Sequence, residues 1–243
     1  MKSKGDAKRF RQLFNESLSE FGSKFKTILK SFLFIYFIPI FILGGILLAF
    51  MVVSYPGLVD GVSSGVTAFN FFQTGMSITF IIFTILFAVV FVVLTLFLNI
   101  SYIYIALSKK NNLSFSEIFG VARKFFWKYL CLTIILVVFL IILYVLLIIP
   151  GIIFTVFWVF ASFILIKENT SAWEAMKRSK QIVKGRWWGV FGFGLLLVII
   201  AIIVSLIFDV IPFVGSFVSN FIMLPFAIIF LKNFYFNLKE NMK

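Results

Sequence analysis

Histidine is absent from this 243-residue chain, and cysteine occurs once, at Cys131. The first absence removes both the commonest general base near neutral pH and the commonest zinc ligand. The second rules out a disulfide within the chain, and Cys131 lies in an apolar run that disfavours its thiolate. Charge is scarce too, at 13% of residues against about a quarter in a soluble domain. No phosphate-binding glycine loop and no cluster with metal-ligand spacing is present, so neither a cofactor nor a metal is expected. The first thirty residues are charged, and no small-residue cleavage site follows a short apolar stretch. The first hydrophobic segment is therefore expected to serve as an uncleaved anchor.

What fills the space is hydrocarbon. Apolar residues make up 62% of the chain and aromatics 20%, with 36 phenylalanines. Several uncharged runs exceed the roughly 18 residues that mark a membrane span. They predict an all-α fold, a polytopic membrane bundle of about six transmembrane helices with basic amphipathic helices at the interface. The spans fall near Ser31–Val53, Ser77–Ile105, Tyr129–Ile149, Ile152–Ile166, Trp188–Phe208 and Ser219–Leu231. Residues 1–30 then form a basic amphipathic helix, 31–236 the transmembrane domain and 237–243 a short tail.

The 22 basic residues sort onto one side of this arrangement. They occupy the segment before the first span, the loops after the second and fourth, and the tail. The connections near Ser54–Met76, Pro150–Gly151 and Asp209–Val218 hold no Lys or Arg, only Asp60 and Asp209. Because Lys and Arg mark the cytoplasmic side, both termini are expected there, in the plasma (inner) membrane of a prokaryote.

From Leu130 to Ile166 no residue is charged. A single straight helix over that stretch would be about 55 Å long, far more than a hydrocarbon core of about 30 Å. A hairpin turn at Pro150-Gly151 resolves the excess and keeps both flanking basic loops on one side. The competing arrangement is a hairpin that dips into the bilayer without crossing it.

Each basic segment reads as an amphipathic helix. In the first, Phe10, Leu13, Phe14, Leu18, Phe21, Phe25, Ile28 and Leu29 follow helical spacing, with Glu20 and Lys24 as an i, i+4 pair. The second and third open with the capping-box patterns Ser114–Glu117 and Ser171–Glu174. Glu174 and Arg178 form another i, i+4 pair. Each helix feeds an outgoing span, a connection with Pro and Gly, and a returning span. Three copies of one unit, or simply alternating hairpins under the positive-inside rule, would both look like this. Helices of this kind lie among headgroups and attract anionic lipid, although orientation alone accounts for most of the charge. The basic residues are spread over a rim with no binding domain, which argues against nucleic acid.

None of the nine acidic residues lies in mid-span, so a proton or ion pathway has no obvious carrier. Glu168, at the inner end of the fourth span, comes closest; its expected partners are Lys167 or a basic residue of the following helix. With Glu174, Arg178, Ser179 and Arg186 it marks a junction that is either functional or an anchor. Asn99, Ser101, Tyr102 and Tyr104 add polarity to the inner part of the second span. Trp187 and Trp188 read as interface anchors, and Gly185, Gly189, Gly192 and Gly194 as close-packing positions.

Between Leu147 and Leu195 runs Leu-Ile-Ile-Pro150-Gly151, an aromatic span, then Glu168, Ala175, Ser179 and Gly185-Arg-Trp-Trp188. This stretch resembles the glycerophosphoryl diester phosphodiesterase membrane-domain family and related uncharacterised six-helix bacterial proteins. The resemblance implies the architecture only. In some family members this domain precedes a soluble phosphodiesterase domain; none is expected here, the histidines which that hydrolase relies on are missing from the sequence, and no enzymatic activity is expected. The sequence favours a non-enzymatic membrane module that organises lipid, a partner protein or further copies of itself. A small transporter is the alternative, to be recognised by Asn99, Ser101, Tyr102 and Thr155 converging in mid-membrane rather than a dry, Phe-packed centre.

Overall fold

The computed structural model describes residues 10–54, 78–208 and 219–240. Pro56, Gly57, Asp60, Asp209, Pro212 and Gly215, expected in two of the connections, lie outside the described residues. Every regular element among the described residues is helical. In chain order they are α1 (Phe10–Phe32), a π-helical turn (Leu33–Phe37), α2 (Ile38–Ser54), α3 (Ile78–Leu107), α4 (Phe115–Leu146), α5 (Ile148–Trp158), α6 (Ala161–Glu168), α7 (Ala172–Val183), α8 (Trp187–Phe208), a second π-helical turn (Ser219–Met223) and α9 (Leu224–Glu240). Among these residues six stretches are long and apolar enough to cross a membrane: Phe10–Phe50, Ile81–Leu107, Phe115–Leu146, Ile148–Glu168, Trp187–Ile207 and Phe221–Glu240. The fold is an all-α, multi-pass membrane bundle.

Two compact units make up the chain, Phe32–Leu98 and a larger one of Met1–Ser31 with Asn99–Lys243. In the smaller unit, Tyr36 meets Phe91 and Phe50 stacks on Phe83 with ring centroids 4.1 Å apart. Phe41, Ile42, Ile46 and Leu48 on α2 face outward. So do Ile82, Ile85, Leu86 and Val89 on α3. So much exposed hydrocarbon suits a lipid environment and not water.

In the larger unit the core is aromatic. Phe160, Phe230, Phe234 and Tyr235 are fully buried. Their rings join Phe10, Phe14, Phe193 and Phe226 in a continuous series, stacked between Phe10 and Phe14 and tilted or edge-on elsewhere, arrangements that ring quadrupoles favour. The apolar face of α1 is covered by protein as well: Leu13, Phe21 and Ile28 are buried, and Phe14 and Phe21 meet Phe226 of α9. That face was expected to rest on lipid. Most of it is instead part of the core, with Leu18 and Phe25 left outside at 52% and 37% exposure.

Two expectations about α4 change. It runs without interruption from Phe115 to Leu146, so the basic amphipathic segment and the following span are one helix of about 48 Å. The Ser114 side chain makes no capping hydrogen bond. Glu117, which should have completed that capping box, accepts from the Tyr104 hydroxyl at 2.9 Å and pairs with Lys110 at 3.7 Å.

The hairpin turn is also displaced. Its break falls at Leu147, in extended conformation (φ −157°, ψ 122°), and Pro150 and Gly151 lie inside the first turn of α5. Proline is accommodated there because an N–H in a helix's first turn lacks an intrahelical partner anyway. Leu147 still bonds through its N–H to Leu143 and through its carbonyl to the Gly151 N–H. Gly151 has a separate reason to be glycine: a Cβ there would sit 2.6 Å from Cδ1 of Tyr144.

Candidate functional site

The fourth membrane segment is broken between α5 and α6. Phe160 sits at φ −94°, ψ 0°, and the helical hydrogen-bond ladder lapses around it. Ser179, buried on α7, spans the gap: its hydroxyl donates to the Phe157 carbonyl at 2.7 Å and accepts from the Phe160 N–H at 3.2 Å. Two backbone groups that would otherwise be stranded in an apolar core are thereby paired.

α6 ends at Asn169, which adopts the left-handed conformation (φ 50°). Asparagine tolerates this better than most residues. The Lys128 ammonium of α4 reaches across to its side-chain oxygen at 2.8 Å and its carbonyl at 3.3 Å. α7 then begins as expected, with the Ser171 hydroxyl accepting from the Glu174 N–H at 3.4 Å.

Glu168 and its neighbours do converge. Arg178 donates to Glu174 at 2.9 Å and to Glu168 at 2.5 Å, so one guanidinium bridges two carboxylates. Hydrogen bonding to Glu174 and then Glu168 raises the Arg178 guanidinium further above its ordinary value. Of the two partners foreseen for Glu168, the one on the following helix is realised. Lys167 turns away and lies 3.7 Å from the ring centroid of Phe236. From α9, Lys239 donates to Glu168 at 2.9 Å and the Tyr235 hydroxyl at 3.4 Å. Arg186 stands apart from this cluster and donates to the Leu238 carbonyl at 2.8 Å, near the C-terminal end of α9. Beside it the Trp187 indole donates to the Ile153 carbonyl, whereas Trp188 faces outward.

A second cluster escaped the sequence reading. Glu20 of α1 accepts from Lys24 at 2.7 Å, from Lys232 at 2.7 and 2.6 Å, and from Asn233 at 3.1 Å. A carboxylate offers about four lone-pair sites, so this one is saturated. Lys24 and Lys232 are both buried. Lys24 also donates to the carbonyls of Ile105, Ala106 and Ser108. It thus places a positive charge where α3 ends and unpaired carbonyls accumulate. Of the pairing, only Glu20 with Lys24 could be read from local spacing. Both carboxylate clusters are closed by α9, which supplies Lys232 and Asn233 to one and Tyr235 and Lys239 to the other.

Each acid at the centre of these clusters is engaged by several donors, Glu20 by Lys24, Lys232 and Asn233, and Glu168 by Arg178, Tyr235 and Lys239. Among the described residues, no three of Cys, Asp and Glu are grouped so as to hold a metal ion. Thr155 bonds the Gly151 carbonyl and the Tyr144 hydroxyl within its own hairpin. Ser101 and Tyr102 are buried on α3. No family model, curated protein or solved structure matches the chain.

Proposed function

We propose that the chain is a non-enzymatic membrane module that organises anionic lipid at the cytoplasmic face of a prokaryotic plasma membrane, with both termini on that face. The observation that carries this reading is the division of labour among its charges. The acids at the centre of the described part of the larger unit are saturated by cations, while Lys26, Lys177 and Lys184, among other basic residues, stay exposed. These exposed cations, in a chain whose formal net charge is +13, suit a surface of anionic headgroups. The resemblance around Leu147–Leu195 contributes the architecture to this reading and no activity.

A transporter would need polar groups lining a path. The centre of the larger unit is packed with phenylalanine, which argues against one there. The test is native mass spectrometry of the full chain released from membranes in mild detergent. Retained anionic phospholipid is the expected result; a chain that retains no anionic lipid overturns the proposal.

A further inference from the structure

We propose that a cleft between α4 and the α6–α7 connection binds the phosphate of an anionic phospholipid. The inference deepens the lipid reading above and rests on it. The cleft, of ≈ 370 Å³, is lined by Trp127, Lys128 and Cys131 of α4 and by Asn169, Thr170 and Ser171 of the connection.

Three features give it an appetite for an oxyanion. The Lys128 ammonium bonds only the neutral oxygens of Asn169, and among the described residues no carboxylate forms an ion pair with it. The nearest acid on α7, Glu174, is engaged by Arg178. The Thr170 hydroxyl oxygen is buried in the cleft wall without a hydrogen-bond partner. A buried polar group left in that state calls for an explanation, and a ligand in the cleft beside it would supply one. Finally, α7 opens onto the cleft. Ser171 satisfies the N–H groups of Glu174 and Ala175, while those of Ala172 and Trp173 have no partner in the helix.

The surroundings select a lipid over a free ion. Lys128 stands just before the uncharged run that starts at Leu130. Trp127 beside it is 75% exposed, as an indole at headgroup level is. From Trp127 an exposed stripe continues along α4 through Cys131, Ile134, Val138 and Ile142. An acyl chain can follow that stripe while the phosphate stays at Lys128.

Cys131 lines the cleft and is the chain's single thiol, so it reports occupancy directly. The experiment measures its alkylation by N-ethylmaleimide on the full chain in mild detergent, read by intact mass. Phosphatidylglycerol should slow the reaction, with phosphatidylcholine and inorganic phosphate far less effective. Lys128→Gln should raise the phosphatidylglycerol concentration needed by about fivefold. Thr170→Val should also weaken protection while leaving thermal stability equal or higher, because it removes an unpaired hydroxyl. Equal protection by phosphatidylcholine, or none lost in Lys128→Gln, overturns the phosphate site. Protection by inorganic phosphate alone keeps the anion site and overturns the lipid as its source. If phosphatidylglycerol co-purifies yet leaves Cys131 unprotected, this cleft is the wrong place and the lipid reading survives. If no anionic lipid is retained on the chain, both fail together.

Discussion

Glu20 and Lys232 meet at 2.6 Å although 212 positions separate them in the chain. The contact ties α1 to α9, and Lys24 extends it to the end of α3. Removing the carboxylate should therefore cost more than removing either cation. Glu20→Leu leaves two buried ammonium groups without a counter-charge and is expected to destabilise the fold by about 3 kcal/mol. Lys232→Met leaves Glu20 with Lys24 and Asn233 and should cost about 1 kcal/mol. Thermal unfolding in detergent checks the order; a Lys232 variant weaker than the Glu20 variant would contradict the shared-acceptor account.

Glu168 fastens the other end of α9 through Lys239 and Tyr235. Glu168→Ala should loosen that end without unfolding the aromatic core. The expected signature is faster amide hydrogen exchange confined to the last turns of α9, with the α5 and α8 amides unchanged. Exchange that rises across all helices alike would mean Glu168 supports the whole fold.

At the broken fourth segment, Ser179→Ala should strand the Phe160 N–H and the Phe157 carbonyl. A loss of about 1–3 kcal/mol is expected, which is large for the removal of one oxygen atom. Ser23, an exposed serine whose hydroxyl donates to the Glu20 carbonyl at 2.8 Å with a longer contact to Asn111 Oδ1 at 3.5 Å, serves as the comparison, and Ser23→Ala should be close to neutral. Similar losses at both positions would dismiss the bridging role.

Gly151→Ala should drive a methyl group into the Tyr144 ring and destabilise the hairpin by about 1–3 kcal/mol. The clash is with one side chain, so Tyr144→Ala in the same chain should recover most of the loss. A double variant no more stable than Gly151→Ala would place the strain in the backbone instead.

Helix existence and the six membrane segments were legible because hydrocarbon length and helical period are written locally. So was the pair of Glu174 and Arg178, which helical spacing marks, whereas the choice of Arg178 over Lys167 as the partner of Glu168 was not. The Glu20 cluster was not. Lys232 could be counted only as one more residue obeying the charge asymmetry, and no local pattern distinguishes a buried lysine from an exposed one. The hairpin break was misplaced by three residues for a different reason. Proline was read as the point of interruption, whereas it fits a helix's first turn and the chain bends just before it. Ser114 illustrates competition: the capping pattern is present, but Tyr104 and Lys110 claim Glu117 first.

The saturation of Glu20 also sets an order of events during synthesis. Its carboxylate is made with α1, and Lys24 four positions later, yet Lys232 and Asn233 emerge only after every other described helix has been made. Until then the emerging chain carries a half-satisfied acid beside an open groove where Phe226 and Phe230 will sit. The α1–α9 seam is thus the last part of the described fold that can close.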